Sequence, residues 1–238
     1  MIGNMGNELL YPDNERKFTS SFMITSVRHA DEAERERQLL ARQYLEGMGI
    51  QTYLPFVDTE QEDPAGGINI IKANFEAIRR VVTSPDGVIT VMYSPNSSGS
   101  VADIGTAMAV SMMSGTHLNL HILNPEELDE EPAAEILTDL VKGESHERLQ
   151  VSSIYIEDRL FEYTDGGSLH YTWREDTKDP SESFSKYFEL GVITAIMLYN
   201  PDARLEVSNL DEVVIPNYPK SYQHVIHALA ERGLDADV

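Results

Sequence analysis

The chain has 238 residues, of which 41% are hydrophobic and 24% are charged, and this composition excludes disorder as the main state. Its 40 acidic residues outnumber its 18 Lys and Arg residues, and the net charge of −22 argues against duplex nucleic acid and anionic membranes as partners. The sequence contains no Cys, which excludes disulfides, a thiolate nucleophile and Cys-ligated zinc.

The N-terminal region predicts a loose arm. Residues 1–19 are polar, with Gly, Asn and Pro, and the opening MIGNMGNELLYPDNERKF lacks the basic flank and apolar centre of a signal peptide. No apolar run approaches the roughly 18 residues of a membrane-spanning helix. We therefore expect a cytoplasmic protein that does not act at a membrane.

Strands and helices alternate in residues 20–125. The predicted strands are SSFMITSV, IQTYLPF, VITVMY and THLNLHIL, and the helices between them are DEAERERQLLARQYLEGMG, INIIKANFEAIRRVVTS and VADIGTAMAVSMMSG. The first helix is expected to carry Leu39, Leu40, Tyr44, Leu45 and Met48 on one side. The alternation predicts an α/β domain with a doubly wound, mostly parallel, Rossmann-like sheet.

Residues 126–238 predict a C-terminal α+β extension. The pattern indicates an acidic helix, a hairpin over SSIYIEDRLFEYTDGGSLHYTWRED, an apolar helix SFSKYFELGVITAIMLY, a strand RLEVSN and a closing helix SYQHVIHALAERG. The sequence leaves open whether this half is a second domain or packs on the first sheet.

A short internal similarity links the two halves. The runs DIGTAMA and ELGVITA share an acid, an aliphatic residue, Gly and a later Ala, and Ser97 and Ser183 lie six residues ahead of them. Gly and Ala four positions apart let a helix pack closely on a sheet or on another helix, and this structural reading is favoured over a functional one.

Loops at one edge of the predicted sheet form a candidate ligand site. Ligands of open parallel sheets bind beyond the carboxyl ends of the strands. There, Ser97, Ser98 and Gly99 precede a helix whose free amides attract an anion, and Ser26 and Arg28 follow the neighbouring strand. A bound phosphate or carboxylate is one interpretation, and serines that only cap the helix are the other.

Asp103 comes about one turn into that helix. A carboxylate over a ligand pocket can attack a sugar carbon or stabilise an oxocarbenium-like transition state. The alternative is an acid that only stabilises the first helical turn.

In their order, SVR, LP, NFEAI, GVITVMY and SSGSVADIGTAMA resemble the nucleoside 2-deoxyribosyltransferase family, including its nucleoside 5′-monophosphate N-glycosidases. The resemblance covers residues 20–124. It implies that Asp103 stands where the family has a catalytic Glu, and that Asn74 stands where it has a second acid. It also implies that Ser26, Arg28 and Ser97 contact the 5′-phosphate. Glu189, in the second run, keeps the family's own residue and ranks second to Asp103.

Both acids of the family are altered in this chain. Asn cannot act as a general acid. The shorter Asp sets the carboxylate back by about 1.5 Å, a displacement that can cost on the order of 100-fold in rate.

The resemblance therefore implies an enzyme that acts on the N-glycosidic bond of a deoxynucleoside or its 5′-monophosphate, by transfer or hydrolysis. The alternative is a catalytically impaired nucleotide-binding module or an oligomeric interaction protein with the same fold.

No cofactor and no metal site are predicted. His117 and His121 lie at strand spacing, but no third ligand accompanies them, so they are interpreted as structural. The expected partner is a small nucleoside or nucleotide. Because members of the family commonly assemble as dimers or larger, the resemblance also implies a homo-oligomer.

Overall fold

A computed structural model describes residues 17–63, 67–94, 97–123, 168–172, 180–200 and 204–208. Most of the predicted N-terminal arm, the acidic helix, the first strand of the predicted hairpin and the closing helix lie outside the described residues. Among the described helices, none combines the length and apolar character needed to cross a membrane.

The described elements follow the predicted order, except that the predicted strand IQTYLPF ends at Tyr53 and its Pro55 and Phe56 begin a short helix. In order they are β1 (Ser20–Ile24), α1 (Glu32–Gly47), β2 (Gln51–Tyr53), α2 (Pro55–Asp58), α3 (Ile68–Val82), β3 (Gly87–Val91), α4 (Ser98–Ser114), β4 (Leu120–Ile122), β5 (Ser168–Thr172), α5 (Pro180–Tyr199) and β6 (Arg204–Ser208).

The first four strands form one parallel sheet in the order β2-β1-β3-β4. This confirms the α/β prediction with a parallel sheet. β5 and β6 form a second, two-stranded parallel sheet and are joined through α5. The second half therefore contains a βαβ unit of the same kind as β3–α4–β4.

Helices cover both faces of the larger sheet. On β1, Phe22 and Ile24 belong to the cluster that contains residues of α3, α4 and α5, whereas Met23 belongs to a cluster with Ala41 and Leu45 of α1. The alternation follows from the period of two along a strand. Because both faces are covered, the strands carry nearly continuous apolar runs.

The chain reverses direction across the sheet between β1 and β3. It runs from β1 outward to β2 and then returns past β1 to β3, so the loops after β1 and β3 leave neighbouring strands in opposite senses. The Met92 amide donates to the Ile24 carbonyl at 2.9 Å and holds the two strand ends together. Such a switch point opens a crevice at the carboxyl edge of a parallel sheet.

Two helices differ in detail from the predictions. α4 begins at Ser98, three residues before the predicted start, because the Ser97 hydroxyl caps the helix by accepting from the Ser100 amide at 3.3 Å. In α1, Leu45 is buried, but Leu39, Leu40 and Tyr44 are more than a third exposed. The side of α1 on which the sequence places these residues is therefore only partly buried.

α4 and α5 pack backbone against backbone at two glycines. A Cβ atom on Gly105 of α4 would lie 2.2 Å from the Phe188 carbonyl oxygen, and one on Gly191 of α5 would lie 1.9 Å from that of Ala102. The Thr106 hydroxyl donates to the Gly191 carbonyl at 3.2 Å across the same contact. The prediction of close packing by the repeated glycine pattern is confirmed, and α5 shares the core of the larger sheet.

We predict that Gly105→Ala lowers the free energy of unfolding by about 2 kcal/mol or more, because the added methyl group forces two backbones apart. Chemical denaturation measures the change. Gly47→Ala is the matched control, since a Cβ there meets nothing within 4 Å. Equal stability of both variants would contradict the tight contact.

Candidate functional site

The loops that follow the neighbouring strands β1 and β3 carry the residues predicted to bind an anion. Ser26 is buried just after β1, and Arg28 is exposed on the same loop. Ser97 is buried at the start of α4, after β3. The two loops therefore lie at the switch point, because each follows one of two neighbouring parallel strands.

Three buried side-chain oxygens near the end of β1 lack a hydrogen-bond partner among the described residues: Thr25 Oγ1, Ser26 Oγ and Gln38 Oε1. Gln38 Nε2 donates to the Ser26 carbonyl at 2.8 Å and fixes the side chain against this loop. Buried polar groups are nearly always satisfied, so such a concentration favours water or a polar ligand in the crevice.

Ser97 caps the start of α4. Ser97 Oγ accepts from the Ser100 amide at 3.3 Å and from the Ser100 hydroxyl at 2.8 Å. Its own proton remains available to donate. Ser98 and Gly99 are partly exposed in the first turn rather than in a loop, and a Cβ on Gly99 would meet nothing within 4 Å. The space beside this turn is open.

Asp103 and Asn74 meet between α4 and α3. The Asn74 side chain hydrogen-bonds the Asp103 carboxyl. Asn74 Oδ1 accepts from the Thr59 hydroxyl at 3.0 Å. Because its oxygen faces Thr59, the amide group must turn its NH₂ toward Asp103. The two positions at which the resemblance places the family's acids are therefore in direct contact.

The hydrogen bonds extend to the end of β2. Tyr53 Oη lies 2.6 Å from Thr59 Oγ1. Since Thr59 gives its only proton to Asn74, Tyr53 donates to Thr59. These four residues form a relay of hydrogen bonds, Tyr53–Thr59–Asn74–Asp103, in which each donor is directed toward the carboxylate. Each bond in such a chain polarises the next.

Local contacts hold this relay in place. The Tyr53 ring stacks on Phe22 with centroids 5.4 Å apart. Ahead of Thr59, the Asp58 carboxylate accepts from the Leu54 amide at 2.8 Å and pairs with Arg42 at 3.1 Å. These contacts fix the loop between β2 and α3 next to Thr59.

The start of α3 is fixed by a separate acid. The Asp63 carboxylate accepts from the Asn69 amide at 2.8 Å and from the Asn69 side chain at 3.0 Å. The helix that carries Asn74 is therefore anchored within its first turn.

The environment of Asp103 favours its neutral form. Desolvation raises the pKa of this carboxyl from 3.8 to about 7, although the Asn74 hydrogen bond acts in the opposite direction. The side chain keeps a partly accessible surface. It lies where α3 packs on α4, and a charge there is poorly solvated. Near neutral pH, both protonation states are populated, as acid–base and electrostatic chemistry requires.

Glu189 lies on α5, across the glycine contact from α4, and is 3% exposed. The acid that Asn74 contacts is Asp103. The structure therefore places Glu189 outside the Asp103–Asn74 pair.

His121 of β4 belongs to the sheet rather than to the crevice. Burial lowers the pKa of His121 to about 4, so the imidazole is neutral near pH 7. Within the part of the chain that the structure describes, no group of three His, Asp or Glu residues is placed to hold a metal.

Sequence reasoning missed Thr59 and Tyr53. Tyr53 is the last residue of β2, and Thr59 follows the short helix α2. A hydroxyl at the carboxyl end of a parallel strand was the available signal. Its partner on α3 is 15 residues away, and no local pattern encodes that contact.

We predict that Asp103→Asn stabilises the protein at high pH. A carboxyl whose folded pKa is raised from 3.8 to about 7 loses its favourable contribution as the pH rises through that range. With allowance for partial solvent contact, the variant should exceed the wild type by on the order of 2 kcal/mol at pH 8 and by little at pH 4. Thermal or urea unfolding across this range measures the difference, and a pH-independent difference would contradict the raised pKa.

Comparison with protein-family models finds no match for the chain. Comparisons with curated proteins and with solved structures find no significant match either. The resemblance to nucleoside 2-deoxyribosyltransferases therefore depends on the quoted residues and their spacing.

Proposed function

We propose that the protein acts on the N-glycosidic bond of a 2′-deoxynucleoside or its 5′-monophosphate, by base transfer or hydrolysis. The observation that carries the proposal is the desolvated Asp103 carboxyl, to which Asn74 donates at the carboxyl edge of the parallel sheet. The deoxyribosyltransferase type of the Rossmann-like fold is part of the proposal, and the strand order β2-β1-β3-β4 supports it.

Asp103 acts in its ionised form. As the bond to the base breaks, positive charge develops on the anomeric carbon and the ring oxygen. A desolvated carboxylate attracts that charge more strongly than a hydrated one and can also form a covalent glycosyl intermediate. The second amide proton of Asn74 is free to orient the base, because Asn has two donors and a single bond holds Asp103.

The 5′ end of the substrate lies in the switch-point crevice. The unsatisfied Ser26 hydroxyl and the remaining proton of Ser97 both donate toward an anion there. The amides of the first turn of α4 add a favourable dipole. Arg28 is the cation of the same loop, and in a chain of charge −22 it counters the repulsion of an anionic ligand.

One observation favours a second candidate, a nucleotide-binding module without turnover. Asn74 cannot protonate a leaving base, and the relay behind it ends in hydroxyl groups of Thr59 and Tyr53. Without a general acid, the crevice would hold its ligand intact.

We predict release of free base from at least one 2′-deoxynucleoside or 2′-deoxynucleoside 5′-monophosphate, measured by chromatography with and without a second base as acceptor. Since the ionised carboxylate is required, kcat/KM should rise about tenfold per pH unit below pH 7 and level off above it. Asp103→Asn should lower kcat by about 100-fold or more.

Asp86→Asn is the control, because Asp86 is exposed at the opposite end of β3. Activity that is unchanged in Asp103→Asn would refute the assigned role. Thermal stabilisation by the same compounds without any released base would instead support the binding module.

A further inference from the structure

Asn74 has a fixed orientation beside the Asp103 carboxyl. Its Oδ1 accepts from the Thr59 hydroxyl at 3.0 Å, so its NH₂ group faces Asp103. Thr59 gives its only proton to this bond, and Tyr53 gives its own proton to Thr59 at 2.6 Å. Both hydroxyl protons of the relay are therefore engaged, and an amide N–H is too weak an acid to give up its proton near neutral pH. The relay can orient a base but cannot protonate it.

The acids of the loop between β2 and α3 are bonded elsewhere or exposed. Asp58 is held by an ion pair and a backbone amide, and Asp63 is held by hydrogen bonds at the start of α3. Glu60 and Glu62 are exposed to solvent. Within the described part of this loop, no acid is therefore enclosed beside the amide of Asn74.

A single carboxyl supplies either a negative charge or a proton in one step, but not both. Positive charge develops on the sugar as the glycosidic bond breaks, and the proposed function uses the ionised form of Asp103 to stabilise it. The electrons of that bond therefore pass to a base that receives no proton from Asp103 or from the relay.

Loss of a neutral base in this way would create two opposite charges, a cation on the sugar and an anion on the base. Such charges cost most to create where solvent screens them poorly, and Asp103 lies in such a desolvated place. The anionic base would also be repelled by the Asp103 carboxylate. A base that is already cationic avoids both costs, because its positive charge moves to the sugar and the base leaves uncharged.

The charge of the whole chain favours the same class of ligand. With 40 acidic residues against 18 Lys and Arg residues, the net charge is −22. The field of such a chain attracts a cationic group and repels an anionic one. A positive base therefore offsets part of the repulsion that a 5′-phosphate meets.

We infer that the substrate of this site is a nucleoside or its 5′-monophosphate whose base carries a formal positive charge, as in N-alkylated purines and N-glycosyl pyridinium rings. The inference rests on the proposed function for the role of Asp103. In hydrolysis, the bond between C1′ and the ring nitrogen breaks and its electron pair stays on the nitrogen. C1′ bonds to a water oxygen, directly or after a bond to an Asp103 oxygen, and one water proton passes to solvent.

The test compares two compounds that share their sugar and phosphate. They are 2′-deoxyguanosine 5′-monophosphate, whose base is neutral, and its 7-methyl derivative, whose base is cationic. The 5′-monophosphate of 2′-deoxyribosyl nicotinamide is a second cationic compound and distinguishes a pyridinium ring from a purine. Chromatography measures the base released by the full chain, and each kcat/KM is divided by the spontaneous rate of the same compound. We expect this acceleration to be about 100-fold or more larger for at least one cationic compound than for the neutral one.

Asn74→Asp returns a proton donor to the site. Where two carboxyls meet in a poorly solvated space, one stays protonated. We expect the acceleration to rise about 100-fold for 2′-deoxyguanosine 5′-monophosphate and not to rise for the cationic compounds. Gln51→Glu is the matched control, because it makes the same exchange of amide for acid at an exposed position at the amino end of β2. It should leave every acceleration unchanged.

Two results would overturn the inference and leave the proposed function intact. One is equal acceleration of the neutral and cationic compounds by the wild-type chain, since a donor outside the relay would then supply the proton. The other is an equal rise with every compound in Asn74→Asp. No base released from any of these compounds or from the unmodified 2′-deoxynucleosides would overturn the proposed function as well. The wild-type comparison decides the question even if Asn74→Asp does not fold.

Discussion

The close approach of α4 and α5 at Gly105 and Gly191 requires that neither residue carry a Cβ atom. It covers the side of α4 that the sheet and α3 leave open, so that nearly the whole helix is buried. Asp103 lies two residues before Gly105 on this buried helix, and desolvation raises the pKa of its carboxyl.

The hydrogen bond from Asn74, which Thr59 and Tyr53 support, lowers the pKa of Asp103 but does not cancel the effect of desolvation. If position 74 held an acid, as in the resembling family, two carboxyls would meet in a poorly solvated space and one would stay protonated. Asn removes that repulsion and keeps a donor directed at Asp103. The exchange favours an ionised carboxylate at position 103 and gives up a group that could donate a proton.

Much of the fold follows from local pattern. The apolar runs of β1 and β3 and the periodicity of α3 predicted their elements closely, and the order of elements placed Ser26 and Ser97 at one sheet edge. The start of α4 was predicted too late, because Ser98 and Gly99 have weak helix propensity and the decisive bond is a cap from Ser97.

The contacts between distant segments could not be predicted from local pattern. Glycine spacing indicated that α4 and α5 each pack closely, but it did not indicate that they pack on each other. Thr59 hydrogen-bonds Asn74 because the loop after α2 lies next to α3, and the hydrophobic periodicity of each segment does not encode that contact.

The central claim is that the Asp103 carboxyl is desolvated and titrates near neutrality. Carbon NMR of the protein labelled at its aspartate carboxyl carbons measures this directly, with Asp103→Asn to assign the signal. The structure predicts a midpoint at about pH 7, raised further in Asn74→Ala because that variant loses the hydrogen bond that lowers the pKa. A midpoint near the ordinary value of 3.8, unchanged in Asn74→Ala, would contradict the account.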